Sequence, residues 1–135
     1  MLDKVKISID VMGGDNSPYK TLEGLNLFAK RNQNINDYIF YLFGDETIIN
    51  QKLSNFKYLE NNYKIFDTKI VVSNELSAMS SIKKGKNSSM WKAIQSQIDL
   101  SADVTLSAGN TGVLLVMSKM ILKTLENVDK PALAG

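Results

Sequence analysis

The stretch DVTLSAGNTGVLLVMSKM, Asp103 to Met120, decides the fold. It opens on a β-prone run, Val104 to Leu106, and closes on an apolar helical run that begins at Val113. Between the two lies SAGNTG, a small, polar, glycine-rich turn. A strand that hands over to a helix through such a turn is the repeating unit of a parallel α/β sheet.

Upstream, the same alternation recurs. Val5 to Val11 alternates and is β-branched, which predicts a first strand. MGGDNSP follows, and Ser17 with Pro18 suits the N-cap and first position of a helix. Leu22, Leu25, Phe28 and Ala29 recur at helical spacing and carry that helix to about Arg31. After a polar loop, Tyr38 to Phe43 predicts a second strand, ended by Gly44 and Asp45, and Thr47 to Leu53 a short helix. Residues 54 to 68 read equally as a connection or a helix remnant. Lys69 to Val72 predicts a third strand, and residues 73 to 88 a loop or short helix ending in the basic run KKGK. Met90, Ala93, Ile94, Gln97 and Ile98 form a helical stripe that starts at Ser89. Val104 to Leu106 is the fourth strand, and Val113 to Leu125 a helix apolar on most faces and expected to be buried. Pro131 to Ala134 reads as the start of another strand. The expected architecture is an α/β layer fold with a mostly parallel sheet, in one domain.

Composition narrows the chemistry. The 135 residues are 44% hydrophobic and 22% charged, as in an ordinary soluble globular protein, and the formal net charge of +2 gives no argument for nucleic acid. There is no cysteine, so disulfides, thiol catalysis and Cys-ligated metal are excluded. There is no histidine, so a Ser-His-Asp triad, a histidine base and histidine metal sites are excluded as well. The N-terminus MLDKVKISID lacks the apolar core of a signal peptide. The longest apolar run is broken by Lys119 and Lys123 and falls short of the roughly 20 residues of a membrane span. A cytoplasmic protein is expected.

Three polar turns fall at or near the carboxyl ends of the predicted strands, where open α/β sheets bind ligands. In SAGNTG, glycines allow close backbone approach, and the start of the next helix offers unpaired N–H groups and a positive dipole end, an arrangement that suits phosphate. Ser107, Asn110 and Thr111 can add side-chain hydrogen bonds; the alternative is a tight turn with Asn and Thr as caps. KKGKNSSM sets Lys83, Lys84 and Lys86 before Asn87, Ser88 and Ser89, either as a reinforced anion site or as a solvated basic loop with a serine cap. DVMGGD sets Asp10, Gly13, Gly14 and Asp15 after strand one, either to orient a ligand or to cap the next helix. Two aspartates make a poor metal site, so no metal is expected. Neither G-x-x-x-x-G-K-[ST] nor G-x-G-x-x-G occurs, so the nucleotide and dinucleotide fingerprints are absent. Trp91 is expected in core or interface packing close to the site.

Read in order, these pieces resemble the bacterial phosphate acyltransferases of the PlsX family. ISIDVMGGDNSP resembles their D-A-M-G-G-D-x-x-P opening, with Val11 in place of alanine. LFGDETII resembles their second strand and its turn, and KKGKNSSMWKAI their basic segment before N-S-S-M or D-S-S-M. DVTLSAGNTGVLL resembles their S-A-G-N-T-G-A loop, and VDKPALAG their I-x-R-P-A-L-A segment. The similarity runs through essentially the whole chain in one register.

The resemblance implies a three-layer αβα fold like that of the isocitrate and isopropylmalate dehydrogenases and the phosphotransacetylases. It implies the formation of acyl phosphate from acyl-acyl carrier protein and inorganic phosphate, for phospholipid synthesis. No cofactor is implied. The implied partners are the acyl carrier protein, a second copy in a homodimer and a membrane-associated enzyme that uses acyl phosphate; the implied location is cytoplasmic and peripheral at the inner face of the membrane.

For the site, the resemblance implies that Asn110, Ser107 and Asp15 serve catalysis. It implies that Asp10, Gly13, Gly14, Lys84, Lys86, Asn87, Ser88, Ser89, Gly109, Thr111 and Gly112 bind phosphate or substrate. SAGNTG and NSSM are expected to hold phosphate or the oxyanion, Lys84 or Lys86 to add charge or meet the acidic carrier protein, and Asp15 to orient rather than act as a base. Such chemistry needs no histidine: phosphate is already an anion near neutral pH, proximity brings it to the thioester, and backbone N–H groups stabilise the oxyanion.

Two departures from the family pattern bear on activity. Family members run to more than twice this length, so residues 1–135 are expected to be an N-terminal portion without the second half, to be completed by a complementing chain if active. NELSAMSSI, before KKGK, is shorter than the acidic stretch found there in the family. The alternatives are an inactive truncated remnant and a non-catalytic α/β anion-binding module.

Overall fold

The computed structural model describes residues 3–59, 61–73 and 77–134. The elements are β1 (Val5–Asp10), α1 (Tyr19–Arg31), β2 (Tyr38–Gly44), α2 (Glu46–Leu53), β3 (Tyr63–Asp67), α3 (Ala78–Gly85), α4 (Ser89–Asp99), β4 (Val104–Ser107) and α5 (Thr111–Leu122). A 3-10 turn, Ile35–Asp37, precedes β2. The four strands form one parallel sheet in the order β3-β2-β1-β4.

Strand alternation assigns each side chain to a face. Ile7 and Ile9 of β1 lie in register with Phe40 and Leu42 of β2, and with Val104 and Leu106 of β4. On this face Ile9, Phe40 and Leu42 pack with Leu22, Leu25 and Ala29 of α1 and with Ile49 and Leu53 of α2. On the opposite face Tyr41 and Phe43 pack with Ala93 of α4 and with Ala102. Thr105 of β4 donates from Oγ1 to the Ala93 carbonyl at 3.0 Å, which ties β4 to α4 on that second face. The helices α4 and α5 then share a cluster of Met90, Ile94, Val113, Met117 and Ile121. Helices lie on both faces, although Val104 and Leu106 of β4 stay exposed on the first.

Several expectations need correction. The third strand is Tyr63–Asp67, not Lys69 to Val72, which carries neither helix nor strand. Ring packing explains the choice: Phe66 stacks on Phe43 at 4.8 Å and meets Tyr41 edge-on at 5.4 Å, whereas Ile70 and Val71 lie exposed. Ser17 does not cap α1; its hydroxyl donates to the Gly13 carbonyl, and Pro18 holds the cap position without a side-chain bond. Phe28 and Ile98 are exposed members of their stripes, because each sits at the edge of its helix's buried face. In α5 only Val113, Met117 and Ile121 are buried, since the helix packs on α4 along one stripe. Residues 131–134 form no strand. Residues 73–88 resolve into α3 and its flanks, with residues 74–76 outside the described residues.

Candidate functional site

The turns after β1 and β4 meet because those strands are neighbours and end in register, Asp10 opposite Ser107. Ser107 donates from Oγ to Asp10 Oδ2 at 2.7 Å, and the Gly109 N–H donates to Ser107 Oγ at 3.1 Å. These bonds run from the SAGNTG loop through one hydroxyl to one carboxyl. A side chain on Gly13 would collide with Asp10 Oδ2 and come within 3.0 Å of both the Gly109 nitrogen and Ser107 Oγ. Gly14 has φ of +93°, and a Cβ there would lie 2.7 Å from the Ala108 carbonyl oxygen. Both glycines are needed for the two turns to touch. The floor under Gly109 is Met90 of α4, whose Cε would be 2.7 Å from a Cβ at that position.

The result is a polar cleft of about 400 Å³ lined by Gly14, Asp15, Ala108, Gly109, Asn110, Thr111 and Gly112. Asn110 caps α5, its Oδ1 accepting from Val113 N at 3.0 Å. The N–H groups of Thr111 and Gly112 belong to the first turn of α5, where helix geometry supplies no internal acceptor. A 12-residue helix adds its positive dipole end at the same point. Chemically, the cleft offers backbone donors and a partial positive charge to a small anion.

Asp10 lies beneath this cleft rather than in its wall. It is 2% exposed, and Oδ1 has no hydrogen-bond partner among the described residues. Burial raises its pKa above the ordinary aspartate value, while the Ser89 and Ser107 hydroxyls and the Gly13 and Met12 amides pull the other way. Ser89 favours the charged form without closing a hydrogen bond on Oδ1.

The remaining expected site residues are spread around the cleft. Ser88 caps α4, accepting from Trp91 N at 3.2 Å, and is buried, as is Ser89. Lys84 and Lys86 are exposed at the end of α3 and are not among the residues lining the cleft. Asn87, at φ of +68°, lines a separate hollow with Phe43, Phe66, Asp67 and Trp91, and its carbonyl accepts from Thr68 Oγ1 at 2.7 Å. Ala108, within SAGNTG, and Met90, in the α4 stripe, also shape the cleft, by contact alone, and no polar pattern in the sequence marks them as site residues. Among the described residues no three His, Cys, Asp or Glu side chains group as a metal site, and no helix is long and apolar enough to cross a membrane.

Comparison with known proteins matches residues 5–135 to a family described as "Fatty acid synthesis protein". Curated relatives include proteins named phosphate acyltransferase. That of Pelagibacter ubique is 44% identical over 97% of this chain and 38% of its own length. That of Rhodopseudomonas palustris (strain BisB18) is 38% identical over the whole chain and 38% of its own length. That of Mesorhizobium japonicum is 36% identical over 97% of the chain and 36% of its own length. The chain thus spans well under half the length of the curated relatives it matches, and corresponds to their N-terminal portion.

Proposed function

Because this chain belongs to the fatty acid synthesis protein family of phosphate acyltransferases, we propose that it forms the phosphate-binding wall of an enzyme making acyl phosphate. The substrates in this reading are inorganic phosphate and an acyl thioester of acyl carrier protein, and the product enters phospholipid synthesis. The observation that carries the reading is the cleft of backbone donors at the start of α5, in residues 108–112, facing Gly14 and Asp15. Phosphate sits on the Thr111 and Gly112 N–H groups, close to the helix dipole. Held there, it attacks the thioester carbonyl; the oxyanion is stabilised by the remaining backbone donors, and the carrier thiol leaves. Asp15, exposed at the rim, orients the incoming group.

Asp10, Ser107 and Gly109 act from below in this reading, by fixing the loop that carries the donors. Lys84 and Lys86 meet the acidic carrier protein, which agrees with their exposed place at the end of α3. The dehydrogenase-like and phosphotransacetylase-like form of the fold, the homodimer, the cytoplasmic location and the peripheral contact with membrane belong to the same proposal.

The test is acyl-phosphate formation from acyl-acyl carrier protein and phosphate, with the chain alone and with the remaining length of the P. ubique relative expressed separately. Acyl phosphate that appears only in the mixture, and is lost on Asn110→Asp, supports the reading. No acyl phosphate from two folded partners would leave a non-catalytic anion-binding module or an inactive remnant.

A further inference from the structure

The cleft at the start of α5 offers donors to an anion, yet the one ionisable side chain in its lining is an acid. Asp15 carries a carboxyl, the other lining residues are neutral, and no lysine or arginine is among them. Gly14 fixes this arrangement. At φ of +93° it turns the chain against Ala108, so Asp15 follows directly beside the SAGNTG loop.

Asp15 has no structural task that explains it. Helix α1 starts at Tyr19 with Pro18 at the cap position and no side-chain cap bond. The hydroxyl that ties down the turn belongs to Ser17, which donates to the Gly13 carbonyl. Among the described residues the Asp15 carboxylate enters no hydrogen bond and no ion pair. Beneath the same turns Asp10 is 2% exposed with Oδ1 unpartnered, so a second acid of the site is also left short by the chain itself.

The chemistry of oxyanions decides which one tolerates an acid here. An ionised carboxylate repels a fully deprotonated anion at the range where a helix start attracts it. An anion that keeps a proton reverses the sign of that contact. Its hydroxyl donates to the carboxylate in a short, charge-assisted O–H···O bond, and its other oxygens still accept from N–H groups. Hydrogen phosphate is such an anion. Sulfate has the same shape and charge and no proton to give.

We propose that Asp15 is the specificity-determining residue of the cleft: it selects hydrogen phosphate, through its proton, over fully deprotonated oxyanions of the same shape. The phosphate hydroxyl donates to the Asp15 carboxylate while the N–H groups of Thr111 and Gly112 donate to the other oxygens. Hydrogen phosphate has a single proton, so it matches this carboxylate and not a second one placed at residue 110. The proposal rests on the phosphate reading above and adds which form of the anion is taken.

The test titrates the isotope-labelled full chain with inorganic phosphate, sulfate and fluorophosphate, at mildly alkaline pH and fixed ionic strength, and follows the amide shifts of residues 109–112. Fluorophosphate keeps the charge of hydrogen phosphate and replaces its hydroxyl by fluorine. Phosphate is expected to bind about tenfold or more tightly than either of the others, a comparison that needs no variant. Asp15→Asn, whose amide both donates and accepts, should bring the phosphate-to-sulfate ratio close to unity, mainly by tightening sulfate. Asp15 is exposed, and circular dichroism checks that the variant folds. Equal binding of phosphate and sulfate by wild type, or a preference that survives in Asp15→Asn, overturns the proposal and leaves the phosphate reading standing. No saturable response to any of the three anions overturns both.

Discussion

Ser107 donates from Oγ to Asp10 Oδ2 at 2.7 Å, 97 residues apart in sequence, and this bond joins the turns after β1 and β4. Gly109 N–H completes the link at 3.1 Å, so the loop that offers donors to an anion is held from beneath by a buried carboxyl. Removing Ser107 leaves the buried Asp10 carboxyl short of a bond, removing Asp10 takes the charged acceptor from the half-buried Ser107 hydroxyl, and either loss costs about 1–3 kcal/mol. Ser107→Ala and Asp10→Ala are therefore each expected to lower the unfolding free energy by that amount in urea titrations. The double variant should cost less than the sum, because both changes break one link. Additive costs would contradict the link.

The pH dependence of stability follows from Asp10. Its carboxyl is raised in the folded state by burial, so the folded chain holds its proton at pH values where the unfolded chain has lost it. The stabilising contribution is thus full below the ordinary aspartate value, and is lost as pH rises through the higher folded value. Urea midpoints of wild type minus Asp10→Asn, measured from about pH 3 upward, should fall with rising pH and then level off. A difference that rises with pH would mean that the hydrogen bonds outweigh burial.

Glycine positions separate packing from backbone freedom. At Gly14 a side chain meets the Ala108 carbonyl in a positive-φ backbone, so Gly14→Ala should cost about 1–3 kcal/mol and close the cleft. Gly24 lies inside α1, and a Cβ added there would meet nothing within 4 Å, so Gly24→Ala should raise stability by about 0.5–1 kcal/mol. Thermal melts of the two variants should therefore move in opposite directions.

Asn110 has two separable properties. As a cap it is replaceable by aspartate, which also accepts from the Val113 N–H, while alanine costs about 1 kcal/mol. As part of an anion cleft it is not replaceable by aspartate, which adds a negative charge among the donors. Asn110→Asp is expected to melt like wild type yet bind phosphate about tenfold more weakly or worse, read by calorimetry. Equal phosphate affinity would place the anion elsewhere.

Much of this was legible in the sequence. The turns MGGD and SAGNTG announce themselves by glycine and cap residues, and the strands before them by β-branched alternation. The third strand was not legible, because KIVV is more β-like by composition than YKIFD. Pairing with β2 in register, Phe43 opposite Phe66, decided between them, and one sequence carries no record of pairing. The place of Asp10 was hidden for a similar reason. A carboxylate at a strand end reads alike whether it faces a ligand or lies beneath the loop, and only the crossing of two distant turns buries it. The basic run KKGK reads either as part of an anion site or as a solvated loop, and a sequence does not show that α3 ends there with Lys84 and Lys86 exposed beside, and not among, the residues that line the cleft.

The most direct test of the central claim is a titration of the isotope-labelled chain with inorganic phosphate, followed by amide chemical shifts. The account predicts saturable shifts concentrated at Gly14, Asp15 and residues 109–112, with their midpoint moved about tenfold or more to higher phosphate by Asn110→Asp. Shifts centred on Lys84 and Lys86, or no saturable response from the folded chain, would contradict it.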